Sequence, residues 1–332
     1  MTESSTATEN NATKNAESDS VIYGHFEREK TGIFAFVLRS MLCAIMPLVV
    51  FLACILLACL LAYLLVTVAG VDAASYRSVV KKASQLFLVL SVFPAMYFLK
   101  LTRSDIGFAA KPLFFKQLFQ GASLGFVTLL PVFILFYVLG INVVDTTQPW
   151  TPVWVIQRLV IEFLLALLIS LFEEPIFRGV LLTALSRKLP VAAAVSVSAL
   201  YYASLHFLDT KTQLALPDLH WYSGFMLLGV AVRRLLSPEI LPAFFALFAV
   251  GLFLGVLRTQ ASLNLGLCIG CHACWVWLIK LSKIAFNTNP DSAYLYLVSS
   301  YDGVIGPFIT LWLSLAIFIY LVFRYYLNKK IG

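Results

Sequence analysis

The feature that most constrains this chain is a series of long apolar runs, such as Cys43 to Val68, which carries no charged residue and is apolar on every face. A bilayer core of about 30 Å needs roughly 20 apolar residues per helical crossing. The sequence holds seven or eight such stretches joined by short polar segments, which predicts an all-α polytopic membrane protein. A transmembrane barrel needs strands of about ten residues alternating apolar with polar, and these runs do not alternate. A soluble globule is excluded as well, because 61% of the 332 residues are hydrophobic and 12% are charged, against about 25% charged in soluble domains.

Crossings are expected near 41–70, 83–99, 118–142, 155–180, 189–208, 238–257, 262–282 and 304–324. A shorter apolar run over 219–236 ends in Arg233 and Arg234 and suits a half-helix or surface helix. The chain divides into a disordered tail (1–22), N-terminal helices (23–150), a core (151–285) and a C-terminal helix (286–332), and no cleavable signal peptide is expected. The 24 Lys and Arg against 17 Asp and Glu cluster beside the apolar runs, a topological pattern rather than a nucleic-acid surface. The joint after the second crossing has Lys100, Arg103 and Lys111, and the joint 145–150 has no Lys or Arg. The fourth crossing should then return to the cytoplasm, with Glu173 and Glu174 in the inner half and their site opening inward. Arg77, Lys81 and Lys82 in the expected outer joint break this pattern. The six cysteines fall in two apolar helices and read as small buried residues.

A charge in hydrocarbon costs about 3 kcal/mol, so ionisable groups within the crossings are candidates for function. The fourth crossing carries Arg158, Glu162, Glu173, Glu174 and Arg178, the fifth His206 and the seventh His272. Glu174 and Arg178 are four apart, in the favourable order for a helical ion pair. Glu173 is turned about 100° away and lacks that partner, which suits a general base acting on water. Pro175 should kink the helix and free a carbonyl. The doublet alone leaves open a purely structural role. Tyr202 and His206 share one face, with Asp209 as a possible partner for the imidazole, and His272 sits in the small-residue run Gly266 to Cys274, which permits close helix approach.

These residues resemble the CPBP family of intramembrane proteases, the CAAX protease and bacteriocin-processing group also called Abi. The resemblance rests on Glu173, Glu174, Arg178 and Gly179, then Tyr202 and His206, then the glycine-rich stretch containing Gly251 and Gly255, then His272. It implies a bundle of about eight transmembrane helices around an intramembrane polar cavity open to the cytoplasm, in which peptide bonds are hydrolysed. Glu173, His206 and His272 would be catalytic, with Glu173 activating water, and Glu174, Arg178 and Tyr202 would support them. The substrate would be a membrane-associated, prenylated or bacteriocin-like peptide, without a cofactor. The chain departs from the pattern at Val276, where an Asn or Asp is usual, and in an apparent insertion over 211–237.

Other readings compete. Glu173, His206 and His272 could bind zinc as a two-His, one-Glu set. A polar stripe from Glu162 to Glu173, about 20° apart in azimuth, would suit a proton-coupled transporter, and Val276 would suit a noncatalytic scaffold or immunity protein. Cys268 to His272 matches a c-type haem string but lies inside an apolar crossing. Gly121 to Gly125 matches a nucleophile elbow but reads better as a close-packing stripe. The lack of a targeting sequence is compatible with a bacterial inner membrane.

Overall fold

The computed structural model describes residues 33–212, 214, 216–260 and 263–331, so the tail expected over 1–22 lies outside the described residues. Helix α1 (Ile33–Thr67) leads through a turn at Ala73–Ser75 into α2 (Tyr76–Leu90) and α3 (Val92–Phe98), which together form one span. Next come α4 (Lys111–Val138), strand β1 (Asn142–Val144) and α5 (Pro152–Glu174). A π-helical turn over Pro175–Leu181 joins α5 without a break to α6 (Leu182–Ser186), and α7 (Val191–His206) runs back beside it. The chain continues through α8 (Ser223–Leu235), α9 (Leu241–Arg258), α10 (Leu265–Ala285), β2 (Phe286–Thr288) and α11 (Pro307–Ile331). Among the described residues, seven helical spans are long and apolar enough to cross a membrane, and α7 is a shorter apolar helix of 16 residues. The protein is an all-α, multi-pass membrane protein, and the apolar run over 219–236 is the short helix α8.

Several boundaries differ from expectation in one informative direction. The second span begins at Ala73 rather than 83, because Arg77, Lys81 and Lys82 are helical rather than in a joint. The fourth runs to Ser186 rather than 180, a continuous helix of 35 residues.

Hydrogen bonds sort the joints onto two ends of the bundle. At one end, Arg187 donates to the Leu99 carbonyl at 2.7 Å, Arg258 to that of Asp105 at 3.1 Å, and the Leu265 amide to that of Gly107 at 3.0 Å. At the other, β1 and β2 pair antiparallel with Val143 opposite Asn287, the Asn289 amide donates to Ile141, and Phe207 packs on Tyr301. Arg77 donates to the Thr210 carbonyl and so brings the start of α2 to this second end.

Helix α5 is built inside out. Its buried stripe is Glu162, Ala166, Ser170 and Glu174, at four-residue steps, whereas Ile156, Val160, Leu164 and Leu168 are exposed. Burying small and polar groups while presenting aliphatic ones is stable only where lipid replaces water around the bundle. Helix α10 lies closest to α4. A Cβ at Gly270 would stand 2.0 Å from the Leu118 carbonyl oxygen, and one at Gly121 2.1 Å from that of Leu267. Gly121 to Gly125 is therefore a close-packing stripe within a helix, not a strand-to-helix elbow. A second, smaller core joins α1, α2 and α8 through Ile55, Cys59, Tyr76, Val80 and Leu227. The site lies at the seam between this unit and the main bundle.

Candidate active site

Helices α5 and α7 are antiparallel, so residues equidistant from their connection come level with each other. Glu173 and His206 lie on either side of the Leu189–Pro190 joint at nearly equal sequence distance. They meet, with Glu173 Oε2 3.7 Å from His206 Nε2. The same oxygen is 3.9 Å from His272 Nε2, which α10 brings in.

Each imidazole is held by its other nitrogen. His206 Nδ1 lies 2.7 Å from the Tyr202 carbonyl oxygen, which can only accept, so Nδ1 carries the proton. His272 Nδ1 lies 2.8 Å from Glu174 Oε1 and donates to it. Both rings therefore turn Nε2 towards the Glu173 carboxylate. The Tyr202 hydroxyl approaches His272 Nε2 at 3.4 Å.

Glu174 is the structural partner. It is fully buried and bonded to Arg178 at 3.2 Å. The Arg178 guanidinium is buried too and stacks over the Tyr202 ring, 4.3 Å from its centroid. Arg178 thus ties the doublet helix to the helix carrying His206. Glu173 remains partly open, with 28% of its side chain exposed. The division between a paired and an unpaired carboxylate is present as the spacing suggests.

The irregularity expected at Pro175 takes the form of the π turn. Proline lacks an N–H and its ring crowds the preceding turn, and here the helix widens into five-residue hydrogen bonding. The Phe177 carbonyl then receives the Leu182 amide, five residues on, together with the Ser198 hydroxyl at 3.0 Å. The Ser198 hydroxyl thereby ties the π turn to α7.

Asp209 does not partner His206. It bonds Lys81 at 2.6 Å and faces Arg77 at 3.9 Å. Partial burial opposes its charge, but the Lys81 hydrogen bond and charge, the Thr210 amide and Arg77 outweigh that and hold its carboxyl below the usual range. Glu162 bonds Lys280 of α10 at 3.1 Å, which accounts for the other carboxylate in the stripe.

Two cavities meet at the site. One, of about 590 Å³, is lined by Glu173, His206, Tyr301, Arg77, Lys81 and Asp209 among apolar groups. The other, of about 350 Å³, is lined by Glu173, His206, His272, Tyr202, Val276 and Tyr301. Arg77, Asp209 and Tyr301 belong to the end of the bundle opposite the 187–190 joint. The sequence places the opening at the end of Arg187 and Lys188, whereas these lining residues lie at the other end, although Glu173 itself stays on the Ser186 side of the midpoint of its span. Tyr301, on the loop before α11, is a lining residue that the sequence does not signal. Val276 faces the second cavity, so the side chain four residues after His272 presents a hydrocarbon wall there.

Cys268, Cys271 and Cys274 are buried free thiols within α10, as small packing residues should be. Among the described residues no group of three or more His, Cys, Asp or Glu is arranged to hold a metal ion.

Residues 154–278 match the family model described as type II CAAX prenyl endopeptidase, Rce1-like. Comparisons with curated proteins and with solved structures find no match. The matched segment runs from the start of α5 into α10 and includes every site residue named above from Glu173 to Val276. The chain thus carries, over residues 154–278, an Rce1-like domain of the CPBP family.

Proposed function

We propose that this protein is an intramembrane endopeptidase that hydrolyses a peptide bond of a membrane-associated polypeptide, with Glu173 as general base. The observation that carries this reading is the meeting of one carboxylate oxygen, which has no hydrogen-bond partner of its own, with two imidazole Nε2 atoms at 3.7 and 3.9 Å. Polar groups held at that separation suit a bridging water, which supplies two hydrogens. Glu173 takes one, His206 orients the other, and the water oxygen attacks the scissile carbonyl carbon. The proton held by Glu173 then passes to the departing amide nitrogen as the carbon–nitrogen bond breaks, giving a carboxylic acid and an amine, and the acid then loses its proton to solvent. The Tyr202 hydroxyl, which lines the same cavity, donates to the carbonyl oxygen as it gains charge, and His272, fixed by Glu174 through Nδ1, stands beside it.

The matched family description, a CAAX prenyl endopeptidase, supports a substrate cut near its C-terminus and anchored by an apolar group. The hydrocarbon walls of the larger cavity suit such an anchor. Cleavage of a prenylated peptide by purified protein in nanodiscs tests the proposal, with Glu173→Gln expected to lower kcat by about 10²-fold or more. Full activity in that variant contradicts it. Stoichiometric zinc in the purified protein that disappears in His206→Ala would transfer the water activation to a metal. Val276 favours a second reading, a noncatalytic scaffold. Under that reading neither the native protein nor any site variant cleaves, while the variants still rescue a deletion phenotype.

A further inference from the structure

The two cavities share four lining residues, Ile169, Glu173, His206 and Tyr301. A polypeptide bound across the Glu173 carboxylate has one flank in each cavity and passes through the opening that these side chains frame. Ile169 and Glu173 stand on α5 and His206 on α7, whereas Tyr301 comes from the loop between β2 and α11, outside the segment that matches the family. Beyond the opening, Trp275, Val276, Ile309 and Trp312 give the smaller cavity an apolar wall, which suits an apolar side chain.

The loop is built to hold Tyr301 in place. Asp302, the next residue, accepts from the Val304 and Ile305 amides at 3.0 and 2.9 Å and from Lys283 of α10 at 2.9 Å. The Gly303 amide donates to the Ser299 carbonyl at 2.9 Å, with Gly303 at φ +72°, a conformation open to glycine at no steric cost. Val304 and Ile305 are buried, so the base of the loop belongs to the core. The Tyr301 ring meets Phe207 of α7 edge-on, 5.1 Å between centroids, and remains 43% exposed. A pinned ring at an opening excludes by clash, since it has little room to retreat.

We infer that Tyr301 is a specificity-determining residue, whose ring limits the size of the side chain that follows the scissile bond. The inference rests on the protease reading. With the apolar anchor in the larger cavity, the departing segment enters the smaller one, and its first side chain has to pass the Tyr301 ring.

The experiment compares two prenylated peptides that differ only in the residue after the scissile bond, valine or tryptophan, using the full-length protein in nanodiscs. The native protein should favour valine by about tenfold or more in kcat/KM. Tyr301→Ala should bring that ratio close to one by raising kcat/KM for the tryptophan peptide, a gain that damage to the fold cannot produce. Tyr301→Phe, which keeps the ring, should keep the native ratio. A native protein that cleaves both peptides equally overturns this inference alone, and so does a Tyr301→Ala protein with the native preference. Loss of the preference in Tyr301→Phe assigns the selection to the hydroxyl and overturns the steric account. No cleavage of either peptide by the native protein overturns the protease reading with it.

Discussion

Glu173 and Glu174 are neighbours with opposite duties, and substitutions should separate them. Glu174 is wholly buried against Arg178 and His272, so Glu174→Gln leaves a buried guanidinium without its counter-charge. Breaking a buried pair from one side destabilises by about 3–5 kcal/mol, and thermal unfolding in detergent should show a clearly lowered Tm. Glu173 has no such partner, so Glu173→Gln should unfold within a degree or two of the native protein while losing turnover. Equal Tm losses in the two variants would remove the distinction on which the site assignment stands. The pairing was legible in the sequence because a four-residue spacing within one helix is a local matter. The Lys81 to Asp209 bond joins residues 128 apart, and no periodicity could reveal it. His206 therefore had only Asp209 as a plausible local partner, and the choice was wrong.

At the scale of elements, the approach of α10 to α4 sets where His272 stands. Gly270 lies two residues before it, and the Leu118 carbonyl occupies the space of any Cβ there. Gly270→Ala should cost about 1–3 kcal/mol through overpacking and reduce turnover, because α10 must move to accept it. Gly229 in α8 is the control. A Cβ there meets nothing within 4 Å, so Gly229→Ala should raise stability by about 0.5–1 kcal/mol through helix propensity. A Gly270→Ala protein as stable and active as the native one would contradict the packing account. The small-residue run was readable as a close contact, though its partner helix was not. Proline forbids one hydrogen bond without specifying how the helix recovers, so the π turn is not legible in the sequence, nor is the bond from Ser198 of another helix to the Phe177 carbonyl. The turn after β1 offers a test of pH. Hydrogen bonds from the Thr147 hydroxyl, the Gln148 amide and the Thr147 N–H pull the Asp145 carboxyl down to about 2. A folded value below the unfolded one, near 3.9, means the stabilisation is complete above that value and fades as pH falls towards 2. Trp150, whose indole donates to the Asp145 carbonyl, should report a fluorescence change below about pH 4 that Asp145→Asn abolishes.

At the scale of the molecule, the bundle has two ends, and the site opens at the one that carries Asp145, Asp209 and Tyr301. Single cysteines placed in 139–151, 207–212 and 289–306 should react with an impermeant reagent from one side of a sealed membrane. Those in 100–110 and 187–190 should react only from the other. Mixed labelling within either set would contradict the bundle. Counting apolar runs locates seven of the eight expected crossings, because the bilayer fixes their length, whereas the fifth, over 189–208, is the shorter helix α7. It could not give the direction in which the site opens, because the cavity wall is assembled from Arg77, Asp209 and Tyr301, which are far apart in the sequence. Arg77 and Lys81, which break the charge pattern, are bound to Asp209 and the Thr210 carbonyl at this end of the bundle. The central claim is that Glu173 activates water. The most direct measurement compares cleavage of one prenylated peptide by the native protein and by Glu173→Gln, both folded by thermal unfolding and both in the same nanodiscs. A loss of about 10²-fold or more in kcat with unchanged Tm is the result the account predicts, and cleavage at the native rate by the folded variant would contradict it.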